Sequence, residues 1–122
     1  MRRWFLLPLL SLLLGACDPL PAGDGRLLLG WRFVDGRRCA DSAVEQVVLA
    51  RENSYTALAV ENCPVGFEQT AMQVTLASGT HHLELTGISA SQTPLYRGAF
   101  TVDLWPDTRV DRIVSLRFIG EL

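Results

Sequence analysis

From Leu27 onward, apolar and polar residues alternate with a period of two, the signature of half-buried β-strands. Leu27, Leu29, Trp31 and Phe33 fall on one face of a strand over Leu27–Val34. Asp35-Gly36 then turns the chain. A second segment, residues 43–50, is ambiguous. Ser42-Ala43-Val44-Glu45 has the form of a helix capping box, and Val44, Val47, Val48 and Arg51 fit helical spacing. The β-branched valines favour a strand, and a strand is predicted. Further strands are predicted over Tyr55–Asn62 (Leu58 and Val60 on one face), Thr70–Leu76 (Met72, Val74, Leu76) and His81–Thr86 (His81, Leu83, Leu85). The pattern is most regular over Leu95–Leu104. There Tyr96, Gly98, Phe100, Val102 and Leu104 point one way and Arg97, Ala99, Thr101 and Asp103 the other. Trp105-Pro106-Asp107-Thr108 is a turn, since proline cannot continue a central strand. A last strand covers Arg109–Ile119, with Val110, Val114, Leu116 and Phe118 inward. Seven short strands with frequent turns predict an all-β domain, a single seven-stranded antiparallel β-sandwich of immunoglobulin-like or prealbumin-like type, over residues 26–122.

The first 17 residues break this pattern. Arg2 and Arg3 precede an apolar run from Trp4 to Leu14, followed by the small residues Gly15 and Ala16. This is the layout of a secretory signal peptide. It is too short for a membrane span, which takes about 20 apolar residues. Leu14-Gly15-Ala16-Cys17 resembles a bacterial lipobox. The resemblance implies cleavage after residue 16, thioether attachment of diacylglycerol to Cys17 and acylation of the new amino group. Two or three acyl chains anchor stably, where one would be marginal. A membrane bilayer is thereby the first expected partner. Asp18 resembles a retention signal for the inner membrane in enteric-type bacteria. Other bacterial groups do not follow that rule, so the outer membrane and the periplasmic face of the inner membrane both remain open. Residues 17–25, with two prolines and two glycines after the cysteine, read as a tether.

Three cysteines are an odd number. Lipidation of Cys17 leaves Cys39 and Cys63 as a pair in an oxidising compartment, and a disulfide is expected. A zinc site is the weaker reading, because no Cys-x-x-Cys pair or ligand cluster accompanies them.

The run Leu29-Gly30-Trp31-Arg32-Phe33-Val34-Asp35-Gly36-Arg37-Arg38-Cys39-Ala40-Asp41-Ser42-Ala43-Val44, with the later Leu95-Tyr96-Arg97-Gly98, is similar to small bacterial surface lipoproteins with transthyretin-like, carboxypeptidase-regulatory-like domains. Ser42 stands where that pattern has alanine or glycine. The resemblance implies a β-sandwich and says little about role.

Charge and chemistry narrow the function without naming it. The chain has 11 basic residues, all arginine, against 13 acidic ones. Losing Arg2 and Arg3 with the leader makes the remainder more acidic, which disfavours nucleic acid because phosphate binding is driven by cationic side chains. No motif for a serine hydrolase, zinc protease, nucleotide or dinucleotide site is present. His81 and His82 point to opposite faces of a strand and cannot share an ion. They read as a solvated pair, with His82 and Glu84 as a weak metal pair. Ser78 and Ser89 lie near His81 in sequence, but nothing marks either as a nucleophile. Asp24, Asp35 and Asp41 are the candidates for calcium, although turn aspartates more often cap their own backbone. Trp31, Trp105, Tyr55 and Tyr96 are the candidates for an aromatic surface that binds sugar or protein, but Trp31 and Tyr96 read as core, with Trp105 as the exposed aromatic. The expectation is a non-enzymatic structural or binding protein of the envelope, without cofactor, with an envelope protein as its second candidate partner. The alternative is a carbohydrate- or protein-binding module using the loops near Asp35 and Trp105.

Overall fold

The computed structural model describes residues 23–120. Cys17 and the leader lie outside the described residues. The domain is all-β: β1 (Asp24–Phe33), β2 (Gln46–Arg51), β3 (Ala57–Asn62), β4 (Met72–Ala77), β5 (Gly79–Ile88), β6 (Pro94–Leu104) and β7 (Arg109–Phe118), with one helical turn, α1 (Cys39–Ser42), between β1 and β2. The first strand begins at Asp24, so it takes in the last two residues of the predicted tether.

The strand order is β3-β2-β5-β6-β7-β1-β4. The sheet is mixed rather than antiparallel. β1 and β7 run parallel, from Arg26 opposite Arg109 to Phe33 opposite Leu116. Parallel neighbours need a long crossover, and here the rest of the chain supplies it. β6 and β7 pair only at Tyr96–Phe118 and Arg97–Arg117. That short joint divides the sheet into β4-β1-β7 and β3-β2-β5-β6. At the far sides, the outer strands β3 and β4 approach one another without a ladder, so the sheet nearly closes. The chain passes from one half to the other at Ser78. β4 pairs with β1 and β5 with β2 and β6, and the following Gly79 has φ +129°.

Between the halves lies a core of Leu27, Leu29, Trp31, Phe33, Val47, Leu49, Leu83, Leu85, Tyr96, Val102, Leu104 and Leu116. Alternation predicted most of these. Four expectations change. Residues 43–50 are strand where regular, from Gln46. Ser42 closes α1 instead of opening a helix: its hydroxyl donates to the Cys39 carbonyl, and Ala43 has φ 65°. Glu45 N–H donates to Ile88 O and Cys63 N–H to Glu45 O, which seats the segment between β5 and β3. In β3 the register slips between Leu49 and Ala50, which pair with Ala59 and Ala57. Leu58 is the extra residue of this bulge. Leu58 and Ala59 both pack on the core, and Val60 turns outward. Tyr55 precedes β3 and is fully exposed. Phe118 and Phe100 lie on the predicted faces, but Phe118 is 42% exposed and Phe100 only partly buried.

The segment Cys63–Ala71 straps across β1. Trp31 N–H donates to Gly66 O, Glu68 N–H to Trp31 O and Ala71 N–H to Leu29 O. The Trp31 indole lies flat against Gly66, where any side chain would collide with its ring. Its Nε1–H donates to Cys63 O at 3.0 Å. The tryptophan thus has its polar atom satisfied inside the core.

Candidate functional site

At the end of the domain beyond Phe33, β1 runs into Asp35. The Tyr96 hydroxyl donates to Asp35 Oδ2 at 2.6 Å, and Arg37 N–H donates to Oδ1 at 3.1 Å. Hydrogen bonding by Tyr96 is the main reason the Asp35 carboxyl is held below its usual range. Burial, reinforced by the Asp35 carboxylate, pushes the Tyr96 phenol up to about 12. The Tyr96 ring packs 4.4 Å from Phe33 and 5.3 Å from Phe118, centroid to centroid. Asp35 is therefore a latch on a core tyrosine. The Cys39–Cys63 disulfide is present at the same end, with Cα atoms 5.8 Å apart, and ties α1 to the strap.

Trp105 lies at the opposite end, beside the start of β1. Asp107 N–H donates to Asp24 O, and Gly23 abuts Pro106. Ten strand residues separate the two loops, roughly 30 Å. The Asp35 and Trp105 loops cannot grip one ligand. Asp24 and Asp35 are apart for the same reason and cannot share a calcium ion. Among the described residues, no group of three His, Cys, Asp or Glu side chains is placed to hold a metal. His82 and Glu84 do share a face of β5. His82 Nδ1 meets Thr101 Oγ1 at 3.1 Å, however, and Glu84 lies 3.6 Å from the Arg97 guanidinium.

The two histidines are not a solvated pair. His81 is only 8% exposed. An Arg51 N–H donates to His81 Nδ1 at 3.0 Å, and Nε2 lies 2.7 Å from Ala77 O. Arginine can only donate and a carbonyl can only accept, so these contacts select the neutral Nε2–H tautomer. His81 pins the end of β4 to the end of β2.

A concave surface lies away from both loops. On the outer face of β2, β5 and β6, Val48 pairs with Thr86 and Thr86 with Arg97, while Ala50 pairs with Glu84. These rows floor a groove enclosing about 570 Å³. One wall carries Asn53 and Tyr55 from the β2–β3 loop, and the other Gln92 from the β5–β6 loop. Asn53 and Gln92 both have left-handed backbone, φ 62° and 68°, a conformation that costs free energy for residues other than glycine. Glu52 N–H, bonded to His82 O, and the Ser89–Thr93 hydrogen bonds hold the two walls. The groove offers an exposed phenol ring, two planar amides and a Glu84–Arg97 pair over a mixed floor of Val48, Ala50 and Thr86. Ser54 and Thr86 add two hydroxyls to the lining. Its sequence signals were the candidate aromatic Tyr55 and, obscured by the segment's helix-or-strand ambiguity, Val48 and Ala50 on the solvent face of a strand.

Comparisons with family models, curated proteins and solved structures found no match to this chain.

Proposed function

We propose that this chain is a bacterial envelope lipoprotein, anchored through acylated Cys17, whose domain has a non-enzymatic structural or binding role. The lipobox Leu14-Gly15-Ala16-Cys17, closing a signal-like leader, carries the reading. It is consistent with a disulfide between the two remaining cysteines, a bond of oxidising compartments. The domain itself we read as a prealbumin-like sandwich. The short β6–β7 joint and the core lying between the two halves support that reading.

The groove on β2, β5 and β6 favours a more specific version, in which the domain recognises a carbohydrate or protein ligand there and not at the Asp35 and Trp105 loops. An exposed tyrosine ring can stack on a sugar face or cover an apolar side chain, and Arg97 and Glu84 can fix its polar groups. The deciding experiment is capture from detergent-solubilised membranes with the full chain, beside glycan-array binding. A stoichiometric protein partner lost on Tyr55→Ala and Arg97→Ala supports an assembly role, and glycan binding lost on the same variants supports a sugar module. Mass spectrometry of the amino-terminal peptide checks the anchor, and an unmodified Cys17 in the mature protein overturns it. Substrate turnover by the purified chain would overturn the non-enzymatic role.

A further inference from the structure

We infer that the Trp105-Pro106 turn is a membrane-contact lip, with the Trp105 indole seated at the headgroup level of a neutral phospholipid surface. The inference rests on the Cys17 anchor proposed above. It starts from where the described chain begins. Gly23 and Asp24 lie against the 105–108 turn: Gly23 abuts Pro106, and Asp107 N–H donates to Asp24 O at 3.0 Å. From Cys17 to Gly23 the chain can span at most about 20 Å. An acyl anchor at Cys17 therefore holds this end of the domain within that distance of the bilayer.

The turn is built to present its tryptophan. Trp105 is 66% exposed, the most exposed tryptophan among the described residues, while its backbone is tied on every side. Its N–H donates to Thr108 Oγ1 at 3.3 Å, and its carbonyl accepts from that hydroxyl at 2.7 Å and from Thr108 N–H. Asp107 holds a left-handed φ of 57° to close the turn. A large aromatic ring on a fixed loop tip is matched to the bilayer interface, where tryptophan has an apolar body to bury and an N–H to keep wet. One indole binds weakly alone, but the tether supplies it at high effective concentration. Around the turn stand Asp24, Asp103, Asp107 and Asp111 against two arginines, Arg26, whose N–H donates to Thr108 O, and Arg109, engaged by Asp111 at 2.9 Å. This acidic setting selects zwitterionic over anionic headgroups.

The experiment reconstitutes the full chain, purified from bacterial membranes, into phosphatidylcholine vesicles whose acyl chains are brominated near the headgroup. The processed chain would hold two tryptophans, Trp31 and Trp105. Trp31 is fully buried. Bromolipid should quench a component of the emission that is absent in Trp105→Phe, and that component should move to shorter wavelength on reconstitution. Phosphatidylglycerol in the vesicles should weaken the quenching. Equal quenching of the wild type and Trp105→Phe, with lipidated Cys17 confirmed by mass, overturns the lip and leaves the anchor standing. If Cys17 is found unmodified, the anchor reading fails separately. The lip is then read on protein whose Cys17 thiol is coupled to a maleimide phospholipid, and unquenched Trp105 in that preparation overturns it.

Discussion

The phenol of Tyr96 has its ring inside the core and its hydroxyl on the Asp35 carboxylate, 2.6 Å away. Each group shifts the other in the direction that favours the folded state near neutral pH. Asp35 is lowered, so its contribution is present above the unfolded carboxylate pKa of about 4 and is lost as pH falls through the folded value. Tyr96 is raised to about 12, so its contribution is present below the unfolded value and is lost as pH rises from about 10 toward 12. Tyr96→Phe keeps the ring and removes the bond. It should cost about 1 kcal/mol at neutral pH, the small end for a charged acceptor because Asp35 is partly open to water. Denaturant midpoints across pH should then show shallower acid and alkaline limbs than the wild type, and parallel profiles would show that the latch contributes nothing. The sequence placed Tyr96 in the core and Asp35 in a turn. It did not join them, because 61 residues separate them and only the β6-β7-β1 arrangement brings them together.

Along every strand but β3, alternation gave the inward face but not the depth. On β6 it correctly grouped Tyr96, Phe100, Val102 and Leu104, yet Phe100 is only partly buried, whereas Leu85 on the neighbouring β5 is fully buried. Leu85→Ala should cost about 2–5 kcal/mol, from lost transfer energy plus a cavity. Phe100→Ala should cost less than the about 3–5 kcal/mol of a fully buried phenylalanine, and exposed Thr101→Ala within about 0.5 kcal/mol. Chemical denaturation of the three variants checks that order, and equal losses at Leu85 and Thr101 would mean the register is wrong. In β3 alternation failed outright, because a bulge adds one residue and reverses the face of all that follow. The disulfide was legible from cysteine number and compartment, but its mechanical role was not. It closes the strap over Trp31. Replacing both Cys39 and Cys63 by alanine should cost about 3 kcal/mol for a loop of this length. Trp31 emission should report the loss, since the strap carries both the Gly66 seat and the Cys63 carbonyl.

For the whole molecule, the first and last strands are neighbours. β1 meets β7 in parallel over eight residue pairs, and no local sequence feature marks that pairing. Local turn signals identify hairpins. They carry no information about which distant strand fills the remaining edge, and the single residue Ser78 between β4 and β5 is a passage between the two halves. Gly98 sits where the halves meet. It is on β6 just past the two residues that pair with β7, and a Cβ there would press on the Ser115 carbonyl and the Leu116 side chain. The absent side chain lets β7 lie against β6 while turning away to join β1. Gly98→Ala should therefore destabilise the domain by about 1–3 kcal/mol, as overpacking does. An ordinary strand glycine would instead gain slightly from alanine. The parallel closure also makes the fold strongly non-local, since β1 must wait for β7. Such topologies fold in about milliseconds to seconds. Stopped-flow refolding of the disulfide-bonded chain, followed through Trp31, should give a single phase in that range, and Gly98→Ala should unfold through one transition at a lower midpoint. Two separated transitions in either protein would show that β4-β1-β7 and β3-β2-β5-β6 are independent units, and that the joint at Tyr96 and Arg97 does not couple them.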